Sequence, residues 1–227
     1  MTSGLPVTPK LDYSSGLVDK WGNFLSFDLL LKNLLKGKID KKKLQKEIEN
    51  QFYHFRELTS FFPDFIDGHQ HIQQLPLVRD LLLDFCVTAY KGQRFYLRVG
   101  SFPIIKAVKQ KLKIKMIMGS FAIKLFSRTY KNAIKAKKIQ KNNYLFGYHD
   151  YNNELLFENI FSYYLKLVSS ENDIFFMHPG YVDSDLIKRD PLIEGRERNL
   201  EFMKSDRFSE LLEEHYIKIN QYRFDKR

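Results

Sequence analysis

The sequence predicts an α/β fold with a largely parallel sheet, because strand-like segments alternate along the chain with segments of helical periodicity. The apolar pair Phe65–Ile66 precedes a helix that opens at Pro76, and the alternating segment Arg94–Val99 is typical of a half-buried strand. A further strand near Tyr144–Phe146 precedes helical spacing, and the apolar run Ile174–Met177 ends the next strand. Ligands in such folds bind at the carboxyl ends of the strands.

Cap residues and apolar spacing predict the helices. Asp40 can cap a long helix. Its apolar face has residues three and four positions apart: Leu44, Ile48, Phe52, Phe55 and Leu58. A helix is predicted from about Asn153 to Val168. Two more helical patterns, Arg196–Met203 and Asp206–His215, precede a predicted final strand around Ile217–Ile219.

The bulk composition predicts one globular domain over residues 1–227, since no repeat or linker divides the chain. A hydrophobic content of 44%, with 20 Phe and 13 Tyr, can fill a sizeable core. The single cysteine, Cys86, excludes an internal disulfide and lies among apolar residues, which predicts a buried, inert thiol and a cytoplasmic setting. No apolar run approaches the roughly 20 residues of a membrane span, so we expect a soluble chain.

The chain is strongly basic, with a net charge of +10, and the segment Ser101–Lys141 holds twelve Lys or Arg and no acid. Such a segment is either a solvated helical face or a surface that binds an anionic membrane or nucleic acid. Because Lys and Asn are frequent throughout the chain, we favour the solvated face. No nucleic-acid partner is therefore expected.

The segment Asp67-Gly68-His69-Gln70-His71 follows the first predicted strand. In an extended segment the alternating side chains of Asp67, His69 and His71 project to one face. Imidazole and carboxylate groups at that spacing suit a divalent cation, and a carboxylate can also orient a ligating histidine. The alternative is that Asp67 and His69 only hydrogen-bond a tight turn.

A second histidine-bearing loop, His178-Pro179-Gly180, follows the predicted strand Ile174–Met177. His178 is either structural or a general acid or substrate donor, since imidazole titrates near neutrality. Asp183 can line the same loop, although acids after a glycine turn are usually solvated.

These motifs resemble those of the YdjC-like carbohydrate deacetylases. The segment from Asp67 to Ile72 with Pro76 resembles the family's Asp-(Ser/Gly)-His-x-His-x-His and proline motif, and Met177–Asp183 resembles its His-Pro-(Gly/Ala) motif. The segment Arg196–Ser205 resembles the family's closing Arg-x-x-Glu-Leu helix. The resemblance covers essentially the whole chain.

The resemblance implies a metal-dependent hydrolase that removes N-acetyl groups from amino sugars or chitooligosaccharide-like carbohydrates. It makes His69 a ligand of a divalent metal, with Mg²⁺ expected first and Zn²⁺ or another divalent ion as the alternative. His178 is the candidate that protonates the leaving amine or holds the sugar. Asp67, His71, Tyr181 and Asp183 are expected beside the ligand or the substrate. Monomer and homodimer both stay open.

The chain also departs from the family pattern. Gln73 stands where the third histidine of the first motif is usual. The family's Asn-Ala-Asp-Asp-Phe-Gly and Gly-x-His segments, which supply its base and two further ligands, would lie ahead of Met1. We therefore expect an incomplete seven-stranded βα barrel that is inactive as given. Three hypotheses stay open: a deacetylase completed by an N-terminal segment, a catalytically inactive remnant or carbohydrate-binding module, and an anionic-surface binder.

Overall fold

The computed structural model describes residues 4–103, 126–147, 157–190, 193 and 195–220. These residues divide into two compact units. The first holds residues 4–100 and 126–141, and the second holds the remaining described residues. Both contain helices and parallel strands, so the predicted α/β class is confirmed. The single domain over residues 1–227 and the seven-stranded barrel stay predictions.

The sheet of the first unit has three short parallel strands in the order β1–β2–β3. These are β1 (Phe65–Ile66), β2 (Tyr96–Leu97) and β3 (Gln140–Lys141). Phe65 pairs with Tyr96, and Ile66 pairs with Leu97. Because the strands are parallel, the residues that follow β1 and β2 lie at the same edge of the sheet.

The middle strand corrects one expectation. Arg94–Val99 was expected to be a half-buried strand with alternating exposure, but residues 95–100 are all buried. β2 lies between β1 and β3 in a parallel sheet, where both faces are covered by other elements. Arg98 is therefore buried although its place in the alternating pattern predicted exposure to solvent.

Five helices belong to the first unit in the described residues. They are α1 (Phe27–Leu35), α2 (Lys41–Thr59), a 3-10 helix (His69–Gln74), α3 (Pro76–Tyr90) and α4 over residues 126–136. A single 3-10 turn (Tyr13–Ser15) precedes them. The predicted cap of α2 is confirmed, since the Asp40 carboxylate accepts hydrogen bonds from the amides of Lys42 and Lys43.

The apolar face predicted for α2 is only partly buried. Leu44, Ile48 and Phe52 lie in the core, whereas Phe55 is 40% and Leu58 is 74% exposed. The ring of Phe52 packs against the α3 residue Phe85 at 4.9 Å between centroids. The last turns of α2 extend beyond this contact, so helical spacing alone overstated the length of the buried face.

The buried thiol was predicted correctly. Cys86 lies on the inner face of α3 with no exposed surface, and burial raises the pKa of its thiol to about 12. Since the thiolate is the reactive form, a thiol reagent at about pH 8 should leave the folded protein unmodified and label one equivalent after unfolding in urea. Equal labelling rates with and without urea would contradict this.

The second unit has the parallel pair β4 (Leu145–Phe146) and β5 (Ile174–Phe175). Its helices in the described residues are α5 (Phe157–Leu165), α6 (Ser184–Arg189), α7 (Arg196–Lys204) and α8 (Asp206–Glu214). α7 and α8 confirm the predicted helices within one residue at each end. The start of the helix predicted from Asn153 lies outside the described residues. The final strand predicted at Ile217–Ile219 is wrong, because these residues form no ladder with another described segment.

Two sequence predictions concern a membrane span and the basic segment Ser101–Lys141. Within the described ranges, no helix is both long and apolar enough to cross a membrane. Residues 104–125, which carry much of the basic segment, lie outside the described residues. The choice between a solvated face and an anionic-surface binder therefore stays a prediction.

Candidate functional site

The loop after β1 bends sharply. Gln70 and His71 adopt φ angles of 52° and 62°, in the left-handed region, within the 3-10 helix. The predicted extended segment, with Asp67, His69 and His71 on one face, is therefore wrong. Left-handed backbone costs a residue with a side chain about 1–2 kcal/mol, so neighbouring contacts must hold this bend. Strained backbone of this kind is concentrated at functional sites.

Arg98 makes those contacts. It directly follows β2, as Asp67 directly follows β1, and its guanidinium forms an ion pair with the Asp67 carboxylate. The same guanidinium donates to the carbonyl of Gly68 at 3.2 Å, and its Nη1 lies 2.6 Å from Nδ1 of His71. The side chain of Arg98 is 6% exposed and that of Asp67 is 42% exposed. The structure thus brings Asp67 and His71 together around a residue that sequence reasoning missed.

The contact between Arg98 and His71 determines the state of the imidazole. A guanidinium has only donors and keeps its proton in proteins, so Nδ1 of His71 must accept the hydrogen bond. An accepting Nδ1 carries no proton, and the ring proton of the neutral imidazole then lies on Nε2. The donor of the His71 ring, Nε2–H, therefore lies on the side of the ring away from Arg98.

Two glutamines join the 3-10 helix to the residues after β2. Nε2 of Gln73 donates to the carbonyl of Arg98 at 3.0 Å, and Oε1 of Gln74 accepts from the amide of Gly100 at 2.9 Å. A Cβ at Gly68 would collide with Oε1 of Gln73 and lie 2.9 Å from the backbone nitrogen of the same residue. Gln73 stands where a histidine is usual in the family that the sequence resembles. Its close approach leaves room only for a glycine at position 68.

A metal ion at this loop would compete with a cation of the protein itself. Asp67 and His71 are both engaged by a cation, the Arg98 guanidinium. Among the residues that the structure describes, no three His, Cys, Asp or Glu side chains are grouped so as to hold a metal. The described residues therefore do not by themselves fit a divalent ion, and the assignment of His69 as a ligand stays a prediction.

The second candidate loop follows β5. His178 comes three residues after Phe175, and its ring meets that of Phe176 edge to face at 5.5 Å between centroids. Tyr181 is 72% exposed, and its hydroxyl lies 3.2 Å from Nζ of Lys204. The Asp183 carboxylate caps α6 by accepting from the amides of Asp185 and Leu186. A structural role thus accounts for Asp183, and its role beside a substrate stays a prediction.

The segment Arg196–Ser205, which forms the third family-like motif, is hydrogen-bonded to the loop that carries His178. At the start of α7, the carbonyl of Arg196 accepts from the amide of Gly180 at 3.3 Å, and Oε1 of Glu197 accepts from the amide of Val182 at 3.1 Å. The Arg196 guanidinium in turn pairs with the carboxylate of Asp190 at 2.9 Å. The His178 and Arg196 motifs therefore belong to one structural unit.

This chain is thus an α/β protein in which histidine-bearing loops follow parallel strands. The family described as YdjC-like protein matches residues 1–214. The chain therefore belongs to the YdjC-like protein family.

Four curated relatives that match this chain carry the name carbohydrate deacetylase. The protein of Mus musculus is 34% identical over 95 residues, which are 42% of this chain and 30% of the relative. The protein of Xenopus laevis is 32% identical over 81 residues, which are 36% of this chain and 26% of the relative. The matched segment thus spans less than a third of the relatives' own length.

A solved structure shares the fold. It is that of an Enterococcus faecalis protein described as a cellobiose-phosphate cleavage protein, with a TM-score of 0.64 and 18% sequence identity. The similarity covers 95% of this chain and 70% of the other. At this level of identity, the similarity shows the fold alone.

Proposed function

We propose that this protein is a carbohydrate deacetylase that hydrolyses the N-acetyl group of an amino sugar or a chitooligosaccharide-like carbohydrate. The observation that carries the proposal is the Asp67–Arg98–His71 network, built on the buried Arg98, at the carboxyl edge of a parallel sheet, where ligands bind in such folds. Membership of the YdjC-like family and relatives named carbohydrate deacetylase support the choice of reaction.

Hydrolysis of an N-acetyl group places three demands on the protein. The acetyl carbonyl must be polarised, a water must attack it, and the leaving amine must receive a proton. The Nε2–H group of His71 is a donor suited to a carbonyl or hydroxyl oxygen. The imidazole of His178 is our candidate for the proton of the leaving amine or for holding the sugar, and Tyr181 offers an exposed ring to a sugar face.

A divalent metal, with Mg²⁺ expected first and Zn²⁺ as the alternative, belongs to the proposal through the resemblance of His69 to the family's ligand. The described residues alone do not fit such an ion, so we assign no step of the reaction to it. Dialysis against EDTA followed by return of Mg²⁺ or Zn²⁺ tests the requirement. A cytoplasmic location is also proposed, supported by the single buried Cys86.

One alternative has its own support. Arg98 pairs with the one carboxylate of the first motif, which disfavours a second cation beside Asp67. A sugar-binding protein without catalysis would keep the same loops. Binding of N-acetylglucosamine oligomers by calorimetry, without release of acetate, is the result that would favour this alternative.

The experiment that tests the proposal measures acetate released from N-acetylglucosamine oligomers. The deacetylase hypothesis is that of an enzyme completed by an N-terminal segment, so the protein is assayed with such a segment joined to it. We expect release by this completed protein, loss to background in its His69→Ala variant, and a fall of about 100-fold in its His178→Ala variant if that imidazole moves a proton. His54→Ala is the matched control, because His54 lies exposed on α2 beside Glu57. Full activity in His69→Ala, or no release and no sugar binding by the completed protein, would reject the proposal. Light scattering of the same sample distinguishes the monomer from the homodimer.

A further inference from the structure

Arg98 is a charged side chain that is almost fully buried, and its guanidinium contacts the loop after β1. The contacts are the Asp67 carboxylate, the Gly68 carbonyl and Nδ1 of His71. A buried charge is tolerated only when it is paired and hydrogen-bonded. The loop and Arg98 therefore hold each other in place.

We propose that Arg98 is a positioning residue, which fixes the ring of His71 with an accepting Nδ1 and a donating Nε2–H. His71 then serves as a hydrogen-bond donor to an oxygen of the substrate, and its Nδ1 does not bind a metal. The part that concerns substrate rests on the proposed function, whereas the state of the His71 ring does not.

The shape of the guanidinium explains why arginine occupies this position. Its planar fork presents several donors in fixed directions, and the atoms Nη1 and Nη2 reach different partners here. An ammonium is a compact point charge on a flexible stem and lacks donors in such fixed directions. The backbone of Arg98 is fixed as well, because its carbonyl accepts from Gln73.

The bend of the loop after β1 is linked to the contact between His71 and Arg98. His71 reaches Arg98 because its φ of 62° turns the chain back toward the end of β2. In an extended segment, as the spacing of the motif predicted, His71 would share a face with Asp67 and His69. In the strained bend, Asp67 and His71 instead contact Arg98. The resemblance assigns His69 a different role, that of a metal ligand.

Nitrogen NMR of the histidine rings tests the proposal directly. At about pH 8, where an ordinary imidazole is neutral, the unaltered protein labelled with ¹⁵N-histidine should show His71 with an unprotonated Nδ1 and a protonated Nε2. The signals are assigned by their loss in His71→Gln. A proton on Nδ1 of His71 in the unaltered protein would overturn the proposal without any variant of Arg98.

Variants of Arg98 provide the second test. In Arg98→Met, and less so in Arg98→Lys, both ring signals of His71 should move toward the average of the two tautomers. Arg79→Met is the matched control, because the largely buried Arg79 pairs with the adjacent Asp80 on α3 and makes no contact with His71 in the described residues. If Arg98→Met folds and leaves the His71 signals unchanged, the positioning role is wrong.

Kinetics separate this inference from the proposed function. If the protein releases acetate, Arg98→Lys should lower kcat by at least about tenfold with little change in KM, as expected when a donor to the transition state is misplaced. A change in KM alone would contradict the role of His71. If no acetate is released but His71 shows the expected ring state, the proposed reaction fails while the positioning by Arg98 stands.

Discussion

Replacement of Phe161 by alanine is expected to lower the free energy of unfolding by about 3–5 kcal/mol, because it removes a buried aromatic ring and leaves a cavity. Phe161 lies on α5 and is 2% exposed. Its ring contacts three others at centroid distances of 5.0 to 5.3 Å, from Phe175, Phe202 and Phe208. These contacts join α5 to β5, α7 and α8, so the cavity would affect all four elements.

Urea unfolding followed by circular dichroism measures this effect. Ile187→Ala is the control, since Ile187 is 56% exposed on α6 and should change stability by no more than about 0.5 kcal/mol. Equal unfolding midpoints for Phe161→Ala and Ile187→Ala would contradict the assignment of Phe161 to the core of the second unit.

Replacement of Gly147 by alanine should have the second largest effect, a loss of at least about 2 kcal/mol from left-handed strain and a collision with backbone. Gly147 follows β4 with a φ of 113°, and an added Cβ would collide with the carbonyl of Phe176. The amide of Phe176 donates to the carbonyl of Phe146 at 3.0 Å, so the colliding carbonyl belongs to the paired strands. Relief of the collision would move the chain that leads into His178.

Gly180→Ala is the matched control for this prediction. Gly180 lies in the His178 loop, and a Cβ there meets nothing within 4 Å. We expect Gly180→Ala to unfold near the midpoint of the unaltered protein and Gly147→Ala to unfold at clearly lower urea. If the protein releases acetate, Gly147→Ala should also lose activity through the displaced His178 loop. Equal midpoints for the two alanine variants would show that the β4–β5 pair is less constrained than its geometry indicates.

The two loops are held in different ways. In the first unit, the side chain of one arginine, Arg98, engages the motif directly through the carboxylate of Asp67 and the ring of His71. In the second unit, the contacts from α7 reach the backbone of the loop at Gly180 and Val182. Variants of Arg98 are therefore expected to change the state of His71, whereas variants of Glu197 would change the path of the chain after His178.

Local patterns in the sequence determined the α/β class and many of the helix boundaries. The cap at Asp40, the proline start of α3 and the buried Cys86 follow from propensities that act over a few residues. The spacing of the histidine motifs also led to the correct family, because such motifs are contiguous along the chain. These features do not depend on which segments meet in space.

Only the tertiary structure decided how the first motif is arranged. The alternation of Asp67, His69 and His71 predicted a shared face, but the partner that bends this loop, Arg98, lies some thirty residues further along the chain. Its contact with Asp67 exists because β1 and β2 are parallel and end at one edge of the sheet. A residue that looked solvent-facing in a strand pattern is thus buried at the centre of the site, since strand pairing rather than local periodicity sets what its side chain meets.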